Sequence, residues 1–98
     1  MTPERPIRVF LLTHAVDRKF ILEFLDTRPE VVNWFSVSNQ CVLIASRSDL
    51  TAVTGFIHIH MPWLYFTICE VTPMSINGWM PPEFWKFVSA PQSSGRWE

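Results

Sequence analysis

Hydrophobic residues on both sides of an extended run mark the first element of this chain. The run IRVFLLT, Ile7 to Thr13, carries apolar side chains on both sides of an extended chain. Ile7, Val9 and Leu11 would face one side, and Phe10 and Leu12 the other. Such a run is typical of a strand covered on both faces, because a half-exposed strand alternates apolar with polar residues. We therefore predict a central strand here. The same pattern in WLYFTICEV, Trp63 to Val71, predicts another strand buried on two sides.

Two shorter extended runs follow in VVNWFSV and CVLIAS, which are joined by the turn-prone Ser38, Asn39 and Gln40. Their spacing predicts a hairpin. The first arm carries Asn33 and Ser36, which suits a sheet edge, whereas the second is apolar and suits a neighbour of the first strand.

A helical period replaces the extended pattern twice. Phe20, Ile21, Phe24 and Leu25 share one helix face, with Asp17 as the predicted N-cap and an end near Thr27 or Arg28, before Pro29. Leu50, Val53, Thr54 and Ile57 repeat the period after a cap at Ser48 or Asp49. Gly55 weakens this second helix by up to about 1 kcal/mol. An extended strand over residues 56–60 is therefore a competing interpretation.

The order of elements predicts an α+β fold of the ferredoxin-like βαββαβ type, with a four-stranded antiparallel sheet and two helices on one face. Pro81 or Pro82 begins a short C-terminal helical segment, Glu83 to Val88. We expect a single domain over residues 1–98, with a core from about 6 to 88 and a flexible tail at 91–98.

The second face of this sheet needs a cover, because the strands carry apolar residues on both sides. Either the segment from Trp79 to Val88 folds across it, or a second copy of the chain stacks on it. Aromatic residues dominate interface energetics. The predicted interface residues are Trp34, Trp79, Phe84 and Trp85. In the alternative without a dimer, Trp79 and Trp85 fill the core of a monomer.

The charge and composition of the chain argue against two classes of binding partner, nucleic acid and membranes. The net charge of −1 and the 17% of charged residues provide no basic field for non-specific binding of nucleic acid or of an anionic membrane. The apolar run near the start is too short for a signal peptide or a spanning helix, so we expect a cytoplasmic protein without membrane contact. Cys41 and Cys69 lie in apolar runs, where reduced, buried thiols are expected.

Candidate chemistry is sparse, and we predict no catalytic residue, no metal and no cofactor. His14 and Asp17 bracket the loop after the first strand, where a histidine could transfer protons and a helix N-terminus could meet an anion. A capped loop with a solvated histidine also explains them, and we favour that interpretation. His58 and His60 could share a metal only if their segment were a strand.

The succession of VFLLTH, a helix, VVNWFSV, CVLIAS, SDL, YFTICEV and GWMPPEFWKFV resembles the small SinR-like proteins. These are related in fold to VapD toxins and to small CRISPR-associated ferredoxin-like dimers of the nuclease fold. In the nuclease-fold relatives, an aspartate at the end of the first strand would hold a metal at the dimer axis. Thr13 and His14 stand there instead, so the resemblance implies a dimeric scaffold or an accessory protein of nucleic-acid-related systems.

Two functions follow as hypotheses. The first is a non-catalytic interaction module that forms a homodimer through the sheet face and the C-terminal tryptophan segment, with a further protein partner possible. The second is a small dimeric α+β-barrel enzyme or ligand-binding protein, with Asn33, Trp34 or His14 in an apolar pocket.

Overall fold

The computed structural model describes residues 5–91, so the predicted tail at 91–98 lies outside the described residues apart from Pro91. Four strands and three helices alternate along these residues. The strands are β1 (Arg8–His14), β2 (Val31–Ser38), β3 (Cys41–Ser46) and β4 (Phe66–Val71); the helices are α1 (Arg18–Asp26), α2 (Leu50–His60) and α3 (Pro82–Ser89).

The four strands form one antiparallel sheet in the order β2-β3-β1-β4. β1 and β3 are central, and β2 and β4 are the edges. This confirms β1 as a central strand, β3 as its neighbour and β2 as an edge. The result is an α+β fold compatible with the ferredoxin-like arrangement. Within residues 5–91, no helix is long and apolar enough to cross a membrane.

Both longer helices lie on one face of the sheet. Phe10 and Leu12 point from β1 into a core that Ile21 and Leu25 of α1 and Ile57 of α2 complete. The caps act as predicted, because Asp17 Oδ1 accepts the Lys19 amide at 3.0 Å and Asp49 Oδ1 accepts the Ala52 amide at 2.8 Å. α2 continues to His60, so residues 56–60 are helical and not extended.

The opposite face, which we call the second face, is covered in part by α3. Phe84, Phe87 and Val88 pack on Val9 of β1 and Leu43 of β3, together with Ala45 and Val71. Pro82 occupies the first helical position, where its missing amide hydrogen leaves no bond unmade. The C-terminal segment therefore folds across the sheet, as the first of the two predicted covers requires.

The prediction for the last strand was wrong. β4 begins at Phe66 and not at Trp63, and it lies at an edge with Thr67, Cys69 and Glu70 exposed. Its apolar pattern is that of a two-sided strand, but only Val71 is fully buried. Cys69 lies on this exposed part of β4, so the expectation of a buried thiol was wrong for Cys69.

Candidate functional site

The burial of the second face decreases along the strands away from α3. On β1, Val9 is buried, Leu11 is half-buried and Thr13 is exposed. On β4, Val71 is buried, whereas Cys69 and Thr67 are exposed. The same trend runs along β3, from the buried Leu43 and Ala45 to the half-buried Cys41. We call the uncovered part the open half; it consists of Leu11, Thr13, Val37, Cys41, Thr67 and Cys69.

A structured loop overhangs the open half. Residues 76–80, the Trp79 loop, connect the turn after β4 to α3. The turn is closed by the Ser75 amide donating to the Thr72 carbonyl at 3.0 Å and by the Thr72 amide donating to Ser75 Oγ at 2.8 Å. Gly78 has φ of +153°, a conformation that L residues rarely adopt, and its amide donates to Asn77 Oδ1 at 2.8 Å.

Trp79 itself is 100% exposed. The two prolines that follow it begin α3, so the loop holds the indole clear of its own domain. The prediction that Trp79 fills the core of a monomer was therefore wrong. Met74, in the turn after β4, is also exposed, at 95%.

An apolar cleft of about 320 Å³ lies between the open half and the Trp79 loop. We call it the Trp79 cleft. Leu11, Val37 and Cys41 of the sheet form its floor, and α3 forms a wall with Phe84 and Trp85; the remaining lining residues are those of the loop, Ile76 to Met80. No lining side chain carries a charge.

The structure gathers three of the four predicted interface residues at this cleft. Trp79 stands at its rim, Trp85 is half-buried in its wall, and Phe84 is buried beneath it, with its ring centroid 4.9 Å from that of Trp85. Trp34 is not among them. It lies on the helix side of the sheet, where its indole Nε1 donates to Asp26 Oδ1 at 2.9 Å.

His14 lies at the end of β1 on the helix side, and it is buried rather than solvated as one interpretation expected. Its Nδ1 is 2.9 Å from the Val16 carbonyl, which can only accept, so Nδ1 carries the proton. Nε2 is buried without a hydrogen-bond partner. Burial lowers the pKa of His14, although the bond to Val16 and the nearby Asp17 carboxylate oppose this change.

His14 lines a second, wider cleft of about 650 Å³. The other lining residues include Thr13, Gln40, Tyr65 and Thr67. The Nε2 atom of His14 is shielded from solvent, and Asp17 is engaged in capping α1, so the two predicted loop-site residues do not face a common ligand position. Of the residues that the enzyme hypothesis names, His14 lines this wider cleft, Asn33 and Trp34 line neither cleft, and none of the three lines the Trp79 cleft.

The cysteines lie on the second face without a bond between them. β1 separates their strands, so their backbones are about 10 Å apart, beyond the roughly 7 Å that a disulfide spans. Burial raises the pKa of the Cys41 thiol, and Cys69 adds to this effect. Among the described residues, no group of three or more His, Cys, Asp or Glu side chains could hold a metal ion.

The histidine pair of α2 points to no shared ligand. His58 and His60 are two residues apart on a helix, so their side chains diverge by about 200°. His60 Nδ1 is 2.7 Å from the Phe56 carbonyl, and its Nε2 is 3.0 Å from Arg28 Nη1. Both of its ring nitrogens therefore have structural partners.

In comparisons with known proteins, this chain matches no family model, no curated protein and no solved structure. The resemblance to SinR-like proteins therefore stays a prediction. The candidate site depends on the geometry alone, and its central feature, the Trp79 loop, has only one local signal in the sequence. That signal is the Asn77-Gly78 dipeptide between two apolar segments, because Asn-Gly dipeptides are typical of turns and loops.

Proposed function

We propose that this chain is a ferredoxin-like interaction module that forms a symmetric homodimer through the open half and the Trp79 loop, without catalysis of its own. The observation that carries the proposal is the fully exposed Trp79 beside an apolar cleft, on the part of the second face that α3 leaves uncovered. Exposed apolar surface of this kind on a folded domain is typical of an interaction site.

Charge supports a second copy as the partner. A surface that binds its own copy across a two-fold axis meets the same residues, so any charge on it near the axis would face its like. The open half holds no Asp, Glu, Lys or Arg; its polar residues are Thr13 and Thr67, whose hydroxyls bond to each other, and the two thiols. Self-association therefore places no charge in a buried position.

The exposed Cys69 thiol fits a protein of a reducing compartment, because such thiols oxidise readily elsewhere. We therefore place this module in the cytoplasm. The SinR-like resemblance agrees with a dimeric accessory protein, since Thr13 and His14 replace the metal-binding aspartate of the nuclease-fold relatives.

The test is the solution mass of the 11.5 kDa chain by light scattering across the micromolar range. We expect twice the chain mass for the wild type and the monomer mass for Thr13→Lys, because the lysine would bury a charge in the interface. Thr51→Lys is the matched control; Thr51 is exposed on α2, on the opposite side of the sheet, and its dimer should persist. A wild type that stays monomeric into the high micromolar range would end the proposal.

A further inference from the structure

We propose that the two copies exchange Trp79, so that each indole fills the Trp79 cleft of the other copy. The inference depends on the proposed homodimer and adds its anchor residue and register. Its basis is the presence of a projecting ring and an unfilled apolar cleft side by side on one surface.

The backbone that carries the projecting ring is restricted before any partner arrives. Gly78, with its φ of +153°, sets the direction of the chain, and Asn77 Oδ1 accepts the Gly78 amide. Pro81 and Pro82 then restrict the backbone on the other side of Trp79. Because this backbone is already ordered, docking of Trp79 needs little further ordering of the loop, which favours it as an anchor.

The cleft suits an indole in size and in chemistry. Its volume of about 320 Å³ is at the lower end of the ~300 to 1,000 Å³ that enclose small organic ligands, so it accommodates one bicyclic ring. Its walls offer Phe84 and Trp85 for ring contacts and Leu11 and Val37 for apolar packing. Trp79 leaves its own cleft empty, because the indole is fully exposed.

Two-fold symmetry makes one such contact into two. When the projecting group and its receptor lie on the same surface, rotation about the axis brings each ring to the other cleft, and the contact closes without forming a chain of copies. A partner of another sequence would need to supply its own ring for the cleft and its own receptor for Trp79. A second copy supplies both.

The exchange would supply a large part of the area that a stable dimer needs. A specific interface buries about 800 Å² on each partner, and one tryptophan buries about 150 to 250 Å². The exchanged ring and the cleft that receives its counterpart therefore account for up to about half of each side. The open half would supply the remainder.

The test uses two complementary variants. Trp79→Ala removes the ring, which stands at the rim of the cleft, and keeps the floor of the cleft and its α3 wall. Val37→Phe fills the cleft and keeps the ring. Truncation of an interface anchor weakens binding by roughly thirtyfold or more, and each homodimer contains two anchors, so we expect at least a hundredfold rise in the dimer dissociation constant for Trp79→Ala. Val37→Phe should weaken its homodimer comparably.

An equimolar mixture of the two variants provides the discriminating measurement. In the mixed dimer, the Trp79 of the filled copy enters the open cleft of the Trp79→Ala copy, and the filled cleft faces the copy that lacks the ring. We expect the mixture to dimerise at concentrations where each variant alone is monomeric. Trp63→Ala is the matched control, since Trp63 is exposed between α2 and β4 and outside the cleft; it should dimerise as the wild type does.

The outcomes separate the two proposals. A wild type and a Trp79→Ala variant that dimerise equally well would overturn the exchange and leave the dimer intact. Loss of dimerisation in both variants without recovery in the mixture would also overturn it. A wild type that is monomeric throughout would remove the proposed function, and the exchange with it. Because Trp79 makes no contact that a monomer needs, Trp79→Ala should keep the wild-type circular dichroism spectrum, which excludes misfolding as the cause.

Discussion

Phe87→Ala is the substitution that tests most directly whether α3 is part of the domain. Phe87 is 0% exposed at the centre of α3, and its ring centroid lies 5.9 Å from that of Phe35 on β2. Truncation of a buried phenylalanine removes its transfer free energy and leaves a cavity, which together cost about 3 to 5 kcal/mol. Total stabilities of small domains are about 5 to 15 kcal/mol, so this single change should remove a large share of the free energy of unfolding.

The assay is urea unfolding followed by far-ultraviolet circular dichroism, at protein concentrations where the wild type is monomeric, because dimerisation would add to the apparent stability. We expect a lower midpoint at an unchanged slope. The melting temperature should fall by about 12 °C or more, since 1 kcal/mol corresponds to about 4 to 8 °C for a domain of this size.

Ser89→Ala is the control within the same helix. Ser89 is exposed, so its replacement should change the free energy of unfolding by about 0.5 kcal/mol at most. If Phe87→Ala were as stable as Ser89→Ala, α3 would not be packed on the sheet in solution, and the distinction between a covered and an open half of the second face would fail.

Three further predictions concern single positions. Gly55→Ala should raise the free energy of unfolding by about 0.8 to 1 kcal/mol, because alanine favours the helix and a Cβ there meets no atom within 4 Å; an unchanged thermal midpoint would contradict this. Gly78→Ala should lower that free energy by about 1 to 3 kcal/mol and weaken the dimer, since alanine disfavours the φ of +153°; wild-type behaviour in urea unfolding and light scattering would refute it. Because the pKa of His14 is lowered in the folded protein, the unfolded chain takes up a proton on His14 at a higher pH than the folded protein does. The free energy of unfolding should therefore fall as the pH decreases through about 6.5, by at most about 1.4 kcal/mol per pH unit. It should level off below the pKa of His14 in the folded protein. His14→Gln should flatten this dependence in unfolding measured between pH 5 and 8, whereas the same change at the exposed His58 should leave it; equal slopes in all three proteins would argue against a buried neutral His14.

The elements of this protein were predictable because each depends on neighbours in the sequence. The carboxylate of Asp17 caps α1 two residues before Lys19, and Pro82 begins α3 at the position where its backbone fits. The apolar residues on both sides of β1 predicted correctly that both of its faces would be covered near Val9 and Phe10, although Leu11 is half-buried and Thr13 is exposed. The C-terminal aromatic segment was likewise predicted as one candidate cover for the second face.

Other features were decided only when the sheet assembled. β4 carries the two-sided pattern of a central strand, but its place in the strand order gives it one neighbour, so Cys69 and Thr67 remain exposed beyond the reach of α3. His14 belongs to a loop in the sequence pattern, yet its pairing with Phe66 buries it and leaves Nε2 without a partner. Strand order and helix length determine how far these side chains are exposed, and neither can be predicted from a short segment of the sequence.

Trp79 shows which part of the fold could be predicted from the sequence and which part depended on the tertiary structure. The sequence by itself determined that the second face would need a cover, because exposing apolar residues to water is unfavourable. It left open whether the aromatic residues after β4 or a second copy would supply that cover. Only the tertiary structure decided which ring enters the core. α3 is eight residues long, so it covers one half of the face with Phe84 and Phe87 and leaves Trp79 outside, beside the cleft over the other half.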